Sequence, residues 1–406
     1  MSSPRKIRLA VVSPFIDKRH GTERRVAEWI ASLASTYEIH IYSQEVRDVD
    51  LTSVRWHRIP KLRGPHILNF LWWFVANRAA RAWHARTDGA RYDLVFSPGI
   101  NCFDADAISV HIVFAEYLRR AEDELAIDRN PARDWPRLLH RRLYYQLAVM
   151  LEKHVYGGSK ISLFLIARRT AKALERFYGR HDEFPVIYGG LDHDIFNPES
   201  RAQLRAGARI ALGLAPERFA LAIVSNDGRN KGLPVIFQAM AILMDLPVDL
   251  LVVTREDPAA YLQQARSAGL EGRVRFLAPR DDIQFYYAAA DAYVGPSLED
   301  TFAQPPAEAM ACGMPVIVSA NNGTSEIIKD GNDGLILADP TDARSLAEMI
   351  RRLFLDKEFA SRLGANANET AKQYTWERNG RELNALFEQL LERKSRGVVH
   401  TVAQES

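Results

Sequence analysis

Two carboxylates eight positions apart, Asp300 and Glu308, stand in the stretch Pro296-Ser297-Leu298-Glu299-Asp300-Thr301-Phe302-Ala303-Gln304-Pro305-Pro306-Ala307-Glu308. A carboxylate pair can grip sugar hydroxyls through charge-assisted hydrogen bonds. Upstream, Arg229 and Lys231 fall in Ser225-Asn226-Asp227-Gly228-Arg229-Asn230-Lys231-Gly232. An arginine fork and a lysine point charge both suit a phosphate. The stretch around Asp300 reads as a strand end, an acidic loop and a helix that starts at Pro305-Pro306, where a first turn tolerates proline. A helix start offers backbone N–H groups and a positive dipole end to an anion. Glu308 reads as a first-turn residue, and two roles stay open for it. It complements the dipole, or it grips hydroxyls while the helix end holds phosphate. His111 closes an apolar run as a strand-end histidine, a position that serves structure or a ligand. His20 and His193 read as structural, and Cys312 as a buried helix-end residue rather than a nucleophile.

Strands alternating with helices must position these residues. In the first half, Ile7–Ser13, Glu38–Tyr42, Val54–Ile59, Asp93–Phe96, Ala107–Val113, Ile161–Ile166 and Pro185–Tyr188 read as strands, several of them continuously apolar and so buried on both faces. Helices are expected through Val26, Ile30 and Leu33, from Ile67 to about Arg86, and as two pieces over 114–156 broken near Asn130-Pro131. The turn-rich run from Gly189 to Pro198 marks a connection. In the second half the strands are Phe219–Ser225, Asp249–Thr254, Arg273–Leu277, Ala292–Gly295 and Pro315–Ser319. The helices there are Leu233–Met244, Pro258–Ala268, Asp281–Ala290 and Pro306–Cys312, with a short one after Gly323-Thr324 and more over 341–395. The residues from about Lys394 read as frayed. Such alternation predicts an α/β protein with two doubly wound, Rossmann-like domains facing a cleft, with ligands beyond the C-terminal strand ends. The expected division is 1–190, 191–375, and a helix over 376–406 that crosses back to the first domain.

Composition fits that architecture. The 406 residues are 47% apolar and 26% charged, which excludes a largely disordered or fibrous chain. Two cysteines, Cys102 and Cys312, exclude a disulfide framework and give no zinc spacing, in keeping with a reducing compartment. The densest apolar run, Ile67–Ala76, is short of the roughly 20 residues that cross a bilayer. The N-terminal apolar run stops at Pro14 with no small-residue cleavage site after it, and reads as a buried strand rather than a signal peptide.

The stretch 296–319 resembles the donor-site motif of glycosyltransferase family 4, a retaining family of GT-B fold. Asp300 and Glu308 match its two carboxylates, and Phe302, Pro305, Glu308-Ala309-Met310-Ala311, Gly313 and Pro315-Val316 match as well. Asp stands for the usual Glu, Thr301 and Ala303 replace two glycines, Gln304 replaces a leucine, and Glu299 is a neighbouring acid. Other segments follow in the family's order. His20-Gly21-Thr22-Glu23-Arg24 resembles its N-terminal loop. Ser109-Val110-His111 resembles the segment whose histidine faces the transferred sugar. Pro185–Asp192 resembles the hinge, and Ser225–Leu233 the phosphate-binding strand end, with Ser225 in place of glycine. Gly323-Thr324-Ser325-Glu326 resembles the loop near the donor diphosphate.

The resemblance implies a hexosyltransferase that moves a sugar with retention from a nucleotide sugar, UDP- or GDP-linked, to a hydroxyl of a glycan or lipid-linked acceptor. It implies His111, Arg229, Lys231, Asp300 and Glu308 as catalytic. The donor site would comprise Gly21, Ser225, Arg229, Lys231, Glu299, Asp300, Thr301, Phe302, Ala303, Glu308, Gly323 and Thr324. Arg229 and Lys231 would stabilise the leaving diphosphate. Glu308 would bond the ribose and Asp300 the sugar. No cofactor and no metal are expected, and the donor phosphate would take the acceptor's proton. The altered motif keeps two alternatives open: a non-catalytic GT-B partner that binds a nucleotide sugar, or another GT-B enzyme such as a sugar-nucleotide epimerase or a trehalose-type synthase.

The acceptor side rests on charge. Residues 1–200 hold 30 Lys and Arg against 24 Asp and Glu, and the rest 23 against 27. Arg129, Arg133, Arg137 and Arg141, with Arg142 adjacent, recur at helical spacing beside Trp135, Leu138, Leu139, Leu143 and Tyr144. A basic amphipathic surface suits an anionic membrane, while the aromatic segment Phe70–Phe74 reads first as a core helix. The expected setting is cytoplasmic, peripheral on the inner face of the membrane, in bacterial surface polysaccharide or lipopolysaccharide assembly. With a net charge of only +2 and no nucleic-acid motif, a nucleic-acid partner is not expected.

Overall fold

The computed structural model describes residues 5–18, 21–87, 89, 91–120, 135–158 and 160–404; of residue 120 and of 397–404 it describes the backbone alone. The chain divides into Met1–Tyr188 with Trp376–Ser406, and Gly189–Thr375.

The first unit contains β1 (Ile7–Val12), β2 (Phe15–Ile16), α1 (Gly21–Leu33), β3 (Tyr37–Ser43), β4 (Glu45–Val46), β5 (Arg55–Arg58), α2 (His66–Thr87), β6 (Leu94–Pro98), β7 (Ala107–Val110), α3 (Phe114–Arg120), α4 (Trp135–Tyr156), β8 (Ser162–Leu165) and α5 (Arg169–Tyr178). Its main sheet has the order β5-β3-β1-β6-β7-β8 with every neighbour parallel. Leu9 pairs with Ile39 on one side and Leu94 on the other, so the apolar run Leu9–Val12 is buried completely. Crossover helices cover both faces of such a sheet, which is why its central strands carry no polar alternation.

The second unit contains α6 (Pro198–Ala211), β9 (Phe219–Val224), α7 (Leu233–Ile242), β10 (Val248–Val253), α8 (Ala259–Ser267), β11 (Val274–Leu277), α9 (Gln284–Ala289), β12 (Ala292–Gly295), α10 (Gln304–Ala311), β13 (Val316–Ser319), a 3-10 turn Gly323–Ile327, β14 (Leu335–Leu337), α11 (Ala343–Leu355) and α12 (Lys357–Ala371). Its sheet runs β11-β10-β9-β12-β13-β14, again all parallel. Both main sheets therefore have the doubly wound order 3-2-1-4-5-6, and the order reverses between β1 and β6 and between β9 and β12. The last helix, α13 (Trp376–Gln404), belongs to the first unit. Asn379 on α13 bonds the indole of Trp29 and the carbonyl of Tyr188, and Leu383 and Phe387 are fully buried.

Several expectations are corrected. Pro185–Tyr188 is not a strand: Val186 makes a single bridge to Leu165. The strand at Ala107 stops at Val110, so His111 lies just past its end. The helix expected over Asp281–Ala290 is the shorter α9. The residues from Lys394 continue as helix, with the Lys394 ammonium on the Asp106 carboxylate at 2.8 Å. The helix break near Asn130-Pro131, and Arg129 and Arg133 of the arginine series, lie outside the described residues, as does His20. The short strand β14 and the helices α5 and α6 were not anticipated. The local signal for α6 is an Asn197 cap whose side chain accepts from the Ser200 N–H at 2.7 Å, followed by Pro198 and Glu199 in the first turn.

Candidate functional site

The reversal of strand order between β9 and β12 brings two loops together. One is Ser225–Gly232 after β9, and the other Pro296–Ala303 after β12. The Asn230 carbonyl accepts from the Leu298 N–H at 2.7 Å, and the Asn230 amide donates to the Glu299 carbonyl at 2.9 Å. Gly232 has φ +85°, and a Cβ there would lie 2.4 Å from the Pro296 carbonyl oxygen. Only glycine lets the two backbones approach so closely. Across this junction the Lys231 ammonium meets the Asp300 carboxylate in a half-buried ion pair.

Each loop is anchored from behind. Ser225 is buried and its hydroxyl accepts from the Asp227 N–H at 3.2 Å. Glu256 accepts from the Gly228 N–H at 2.7 Å. Asp300 bridges to Asn322, and its carbonyl accepts from the Gly323 N–H at 2.9 Å. The Thr324 hydroxyl donates to the Ala303 carbonyl at 2.7 Å, which ties Gly323-Thr324 to the start of α10. Phe302 and Ala303 are buried, Glu299 and Thr301 half-buried, and Arg229 exposed.

Glu308 is corrected on two points. It is the fifth residue of α10, not a first-turn residue, because the helix begins at Gln304. It is buried, and its carboxylate accepts from the Tyr287 hydroxyl at 2.9 Å. The dipole-complement role therefore loses its basis, since the dipole acts within the first turn. Burial and the facing carboxylate push the Tyr287 phenol far up, so it stays a donor. The helix start is also a poorer anion site than expected. Pro305 and Pro306 occupy its second and third positions and carry no N–H. Next to them the Gln304 amide donates to the Gly190 carbonyl at 3.1 Å, and its buried Oε1 has no hydrogen-bond partner among the described residues.

Tyr287 was not singled out in the sequence, nor was what holds it. Arg201, Arg205 and Arg209 share one face of α6 at four-residue spacing. They donate to the Tyr287, Ala288, Ala289 and Ala290 carbonyls at the end of α9, and Arg205 and Arg209 also pair with Asp291. Cations suit the unpaired carbonyls and negative pole of a helix C-terminus. The ladder fixes α9, and α9 carries Tyr287 to Glu308.

In the first unit, Gly21 opens α1 and a Cβ there would meet open space. His111 is half-buried, with Nε2 2.8 Å from the Ser109 hydroxyl and its ring 6.0 Å from that of Trp29. Burial, with the Arg25 charge adding to it, pushes the imidazole down to about 3. It is neutral at pH 7, with a nitrogen available for hydrogen bonding. Arg25, next to the segment read from the sequence, is buried, and burial lowers its guanidinium to about 10. Among the described residues no group of three or more His, Cys, Asp or Glu could hold a metal ion. Cys312 is buried at the end of α10, where burial pushes its thiol up to about 12 and keeps it unreactive.

Residues 208–370, which span this loop pair, match the family model described as "Glycosyl transferases group 1". The match covers the larger part of the second unit and about two fifths of the chain. Curated relatives of the chain include the D-inositol 3-phosphate glycosyltransferases of a Nocardioides species and of Actinosynnema mirum. The first is 31% identical over 48% of this chain and 46% of its own length, the second 32% over 50% and 51%. The chain spans about half the length of the curated relatives it matches. Among solved structures it is similar to WaaG, a glycosyltransferase involved in lipopolysaccharide biosynthesis, at 18% identity over 92% of this chain and 98% of that one, with a TM-score of 0.74. It is also similar to the sucrose-phosphate synthase of Thermosynechococcus elongatus, at 21% identity over 96% of this chain and 100% of that one, with a TM-score of 0.75. A third neighbour, HepE of Anabaena in complex with UDP-glucose, has 19% identity over 94% of this chain and 100% of that one, with a TM-score of 0.69. The two parallel α/β units are those of the GT-B fold.

Proposed function

We propose that the chain is a retaining glycosyltransferase of family 4, which moves a sugar from a UDP- or GDP-linked donor to a hydroxyl of a glycan or lipid-linked acceptor. The observation that carries this reading is the Lys231–Asp300 pair at the β9/β12 reversal, with Glu308 buried on the following helix. A cation and two carboxylates there match the needs of a diphosphate flanked by a ribose and a sugar. Lys231 and Arg229 stabilise the charge that develops on the leaving diphosphate, Asp300 bonds the sugar, and Glu308, aligned by Tyr287, bonds the ribose. Ser225, Glu299, Thr301, Phe302, Ala303, Gly323 and Thr324 shape the donor site, and Gly21 and His111 are assigned to donor binding from the family resemblance. Neutral His111 serves as a hydrogen-bond partner of the transferred sugar rather than as a cation. The donor phosphate accepts the acceptor's proton, so the reaction needs no metal and no cofactor. A neighbour of the same fold in complex with UDP-glucose favours a uridine donor. The setting we assign is surface polysaccharide or lipopolysaccharide assembly, peripheral on the cytoplasmic face of a membrane.

Sugar release from UDP- and GDP-linked donors by the full chain, and by Asp300→Ala and Glu308→Ala separately, tests the assignment. Turnover falling at least 100-fold in one variant supports it, while unchanged turnover in both removes these residues from the site.

A further inference from the structure

Helix α2 is apolar on both of its faces. Trp73, Phe74 and Ala76 are buried in the first unit, while Leu68, Leu71, Trp72 and Val75 recur at helical spacing on the opposite side and are exposed. Trp83, two turns beyond Val75, is 67% exposed. An all-round apolar helix is normally covered on every side. Here the described residues of the chain leave the second face uncovered.

Helix α4 lies beside it. The His66 and Phe70 rings meet the Tyr144 ring at centroid distances of 5.1 and 5.3 Å, and His66 also reaches His140 at 6.3 Å. Helix α4 has an outward apolar stripe of its own, Leu139, Leu143 and Met150, each more than half exposed. Single exposed apolar side chains are ordinary, but two adjacent helices that both turn such a stripe outward make a surface needing a partner.

The exposed charges on these two helices have one sign. From Leu51 to Thr87 the sequence holds seven Lys or Arg and no Asp or Glu. Helix α4 holds four Lys or Arg and one acid, Glu152. That acid is buried, accepting from the Phe114 and Ala115 N–H groups and the Tyr178 hydroxyl. Arg63, Arg78, Arg86, Arg137, Arg142 and Lys153 are exposed beside the stripes. Arg81 is spent inside, in a bidentate pair with Asp104 at 2.7 and 2.8 Å. Arg141 is likewise turned inward, to the Tyr145 and Tyr117 hydroxyls. The solvent face of the pair thus combines apolar stripes with cations and no exposed carboxylate on either helix.

We propose that the outward faces of α2 and α4 dock on an anionic lipid bilayer, the apolar side chains entering the headgroup boundary and the arginines meeting lipid phosphates. Apolar area and cations act together in such interfacial binding. A second copy of the chain would also cover the apolar stripes, but two like faces would set the same cations against each other. The proposal rests on the reading of the chain as a transferase with a lipid-linked acceptor only for its purpose. Lipid binding is read without turnover, so a chain inert toward nucleotide sugars would still dock.

The test is flotation of the full chain with vesicles of phosphatidylcholine alone and of phosphatidylcholine mixed with phosphatidylglycerol. Leu68→Glu with Val75→Glu removes the α2 stripe, Leu139→Glu with Leu143→Glu the α4 stripe, and Arg78→Glu with Arg142→Glu two of the cations. All six positions are exposed, so circular dichroism and melting temperature should match the parent. The parent should float with the anionic vesicles and much less with the neutral ones. Each double variant should lose about tenfold in affinity, and added salt should weaken the parent by screening. Bromine-labelled lipid should quench the tryptophan fluorescence of the parent. Failure of the parent to float overturns the proposal, as does equal flotation by all three variants. A dimer that forms without lipid and is dissociated by the same substitutions overturns it in favour of a second copy.

Discussion

The Glu308 carboxylate has a buried partner, the Tyr287 hydroxyl, and that contact sets what a single substitution should do. Tyr287→Phe leaves a buried carboxylate short of one donor. A hydrogen bond to a charged group contributes about 1.5–3 kcal/mol, so the urea midpoint should fall by that equivalent. His111 gives a pH-dependent expectation. Its folded pKa is about 3 against an ordinary 6.5, so between those values the unfolded chain binds the proton and the folded chain does not. Stability from this residue is complete above pH 6.5 and is lost as pH falls toward 3. The stability difference between the parent and His111→Gln, from urea melts at pH 7, 5 and 4, should therefore shift steadily against the parent. A constant difference would show that His111 titrates normally. Several site residues were legible because their signal is local: Lys231-Gly232 and the Asp300–Glu308 spacing are short patterns. The missing N–H groups of Pro305 and Pro306 are equally legible, being a property of the residue type. Tyr287 was not legible, because it lies 21 positions from Glu308 and only the tertiary fold brings its hydroxyl to that carboxylate.

At the scale of elements, the junction of the β9 and β12 loops depends on Gly232. Gly232→Ala puts a Cβ into the Pro296 carbonyl and asks alanine for a left-handed backbone, itself a cost of about 1–2 kcal/mol. The variant should be destabilised by more than that backbone cost, and donor binding should weaken with it. The arginine ladder of α6 makes a parallel case. Arg209→Ala removes a buried guanidinium that serves the Ala289, Ala215 and Arg218 carbonyls and Asp291. A loss of about 3 kcal/mol is expected, the range for breaking one partner of a buried ionic network. Helix α6 shows why elements were missed. Its cap, Asn197-Pro198, was read as part of a connection, and its arginines were not singled out. Their partners, the carbonyls at the end of α9, lie some 80 positions on. The central strands were legible because burial on both faces leaves a continuous apolar run. Leu335–Leu337, an edge strand of three residues, leaves a run shorter than most strands.

For the whole molecule, two doubly wound α/β units followed from the alternation of strands and helices, the GT-B fold from the family resemblance, and each main sheet has the strand order that creates a ligand site at its reversal. The last helix belongs to the first unit although it follows the second in sequence. Leu383, Leu386, Phe387 and Leu390 are buried along it. At about 1.5–3 kcal/mol for each such side chain, the helix contributes roughly 6–12 kcal/mol, comparable to the stability of a domain. Ending the chain at Thr375 should therefore leave the first unit protease-sensitive while Gly189–Thr375 resists digestion, which limited proteolysis with mass mapping would show. The measurement that bears most directly on the central claim is the melting temperature of the full chain with UDP-, GDP-, ADP- and dTDP-sugars, beside Lys231→Ala, with and without EDTA. A ligand that binds only the folded state raises that temperature by mass action. The melting temperature should rise with a UDP- or GDP-sugar, indifferent to EDTA, and the rise should be largely abolished in Lys231→Ala. No rise with any of the four, or an equal rise in the variant, would contradict a donor site built on Lys231.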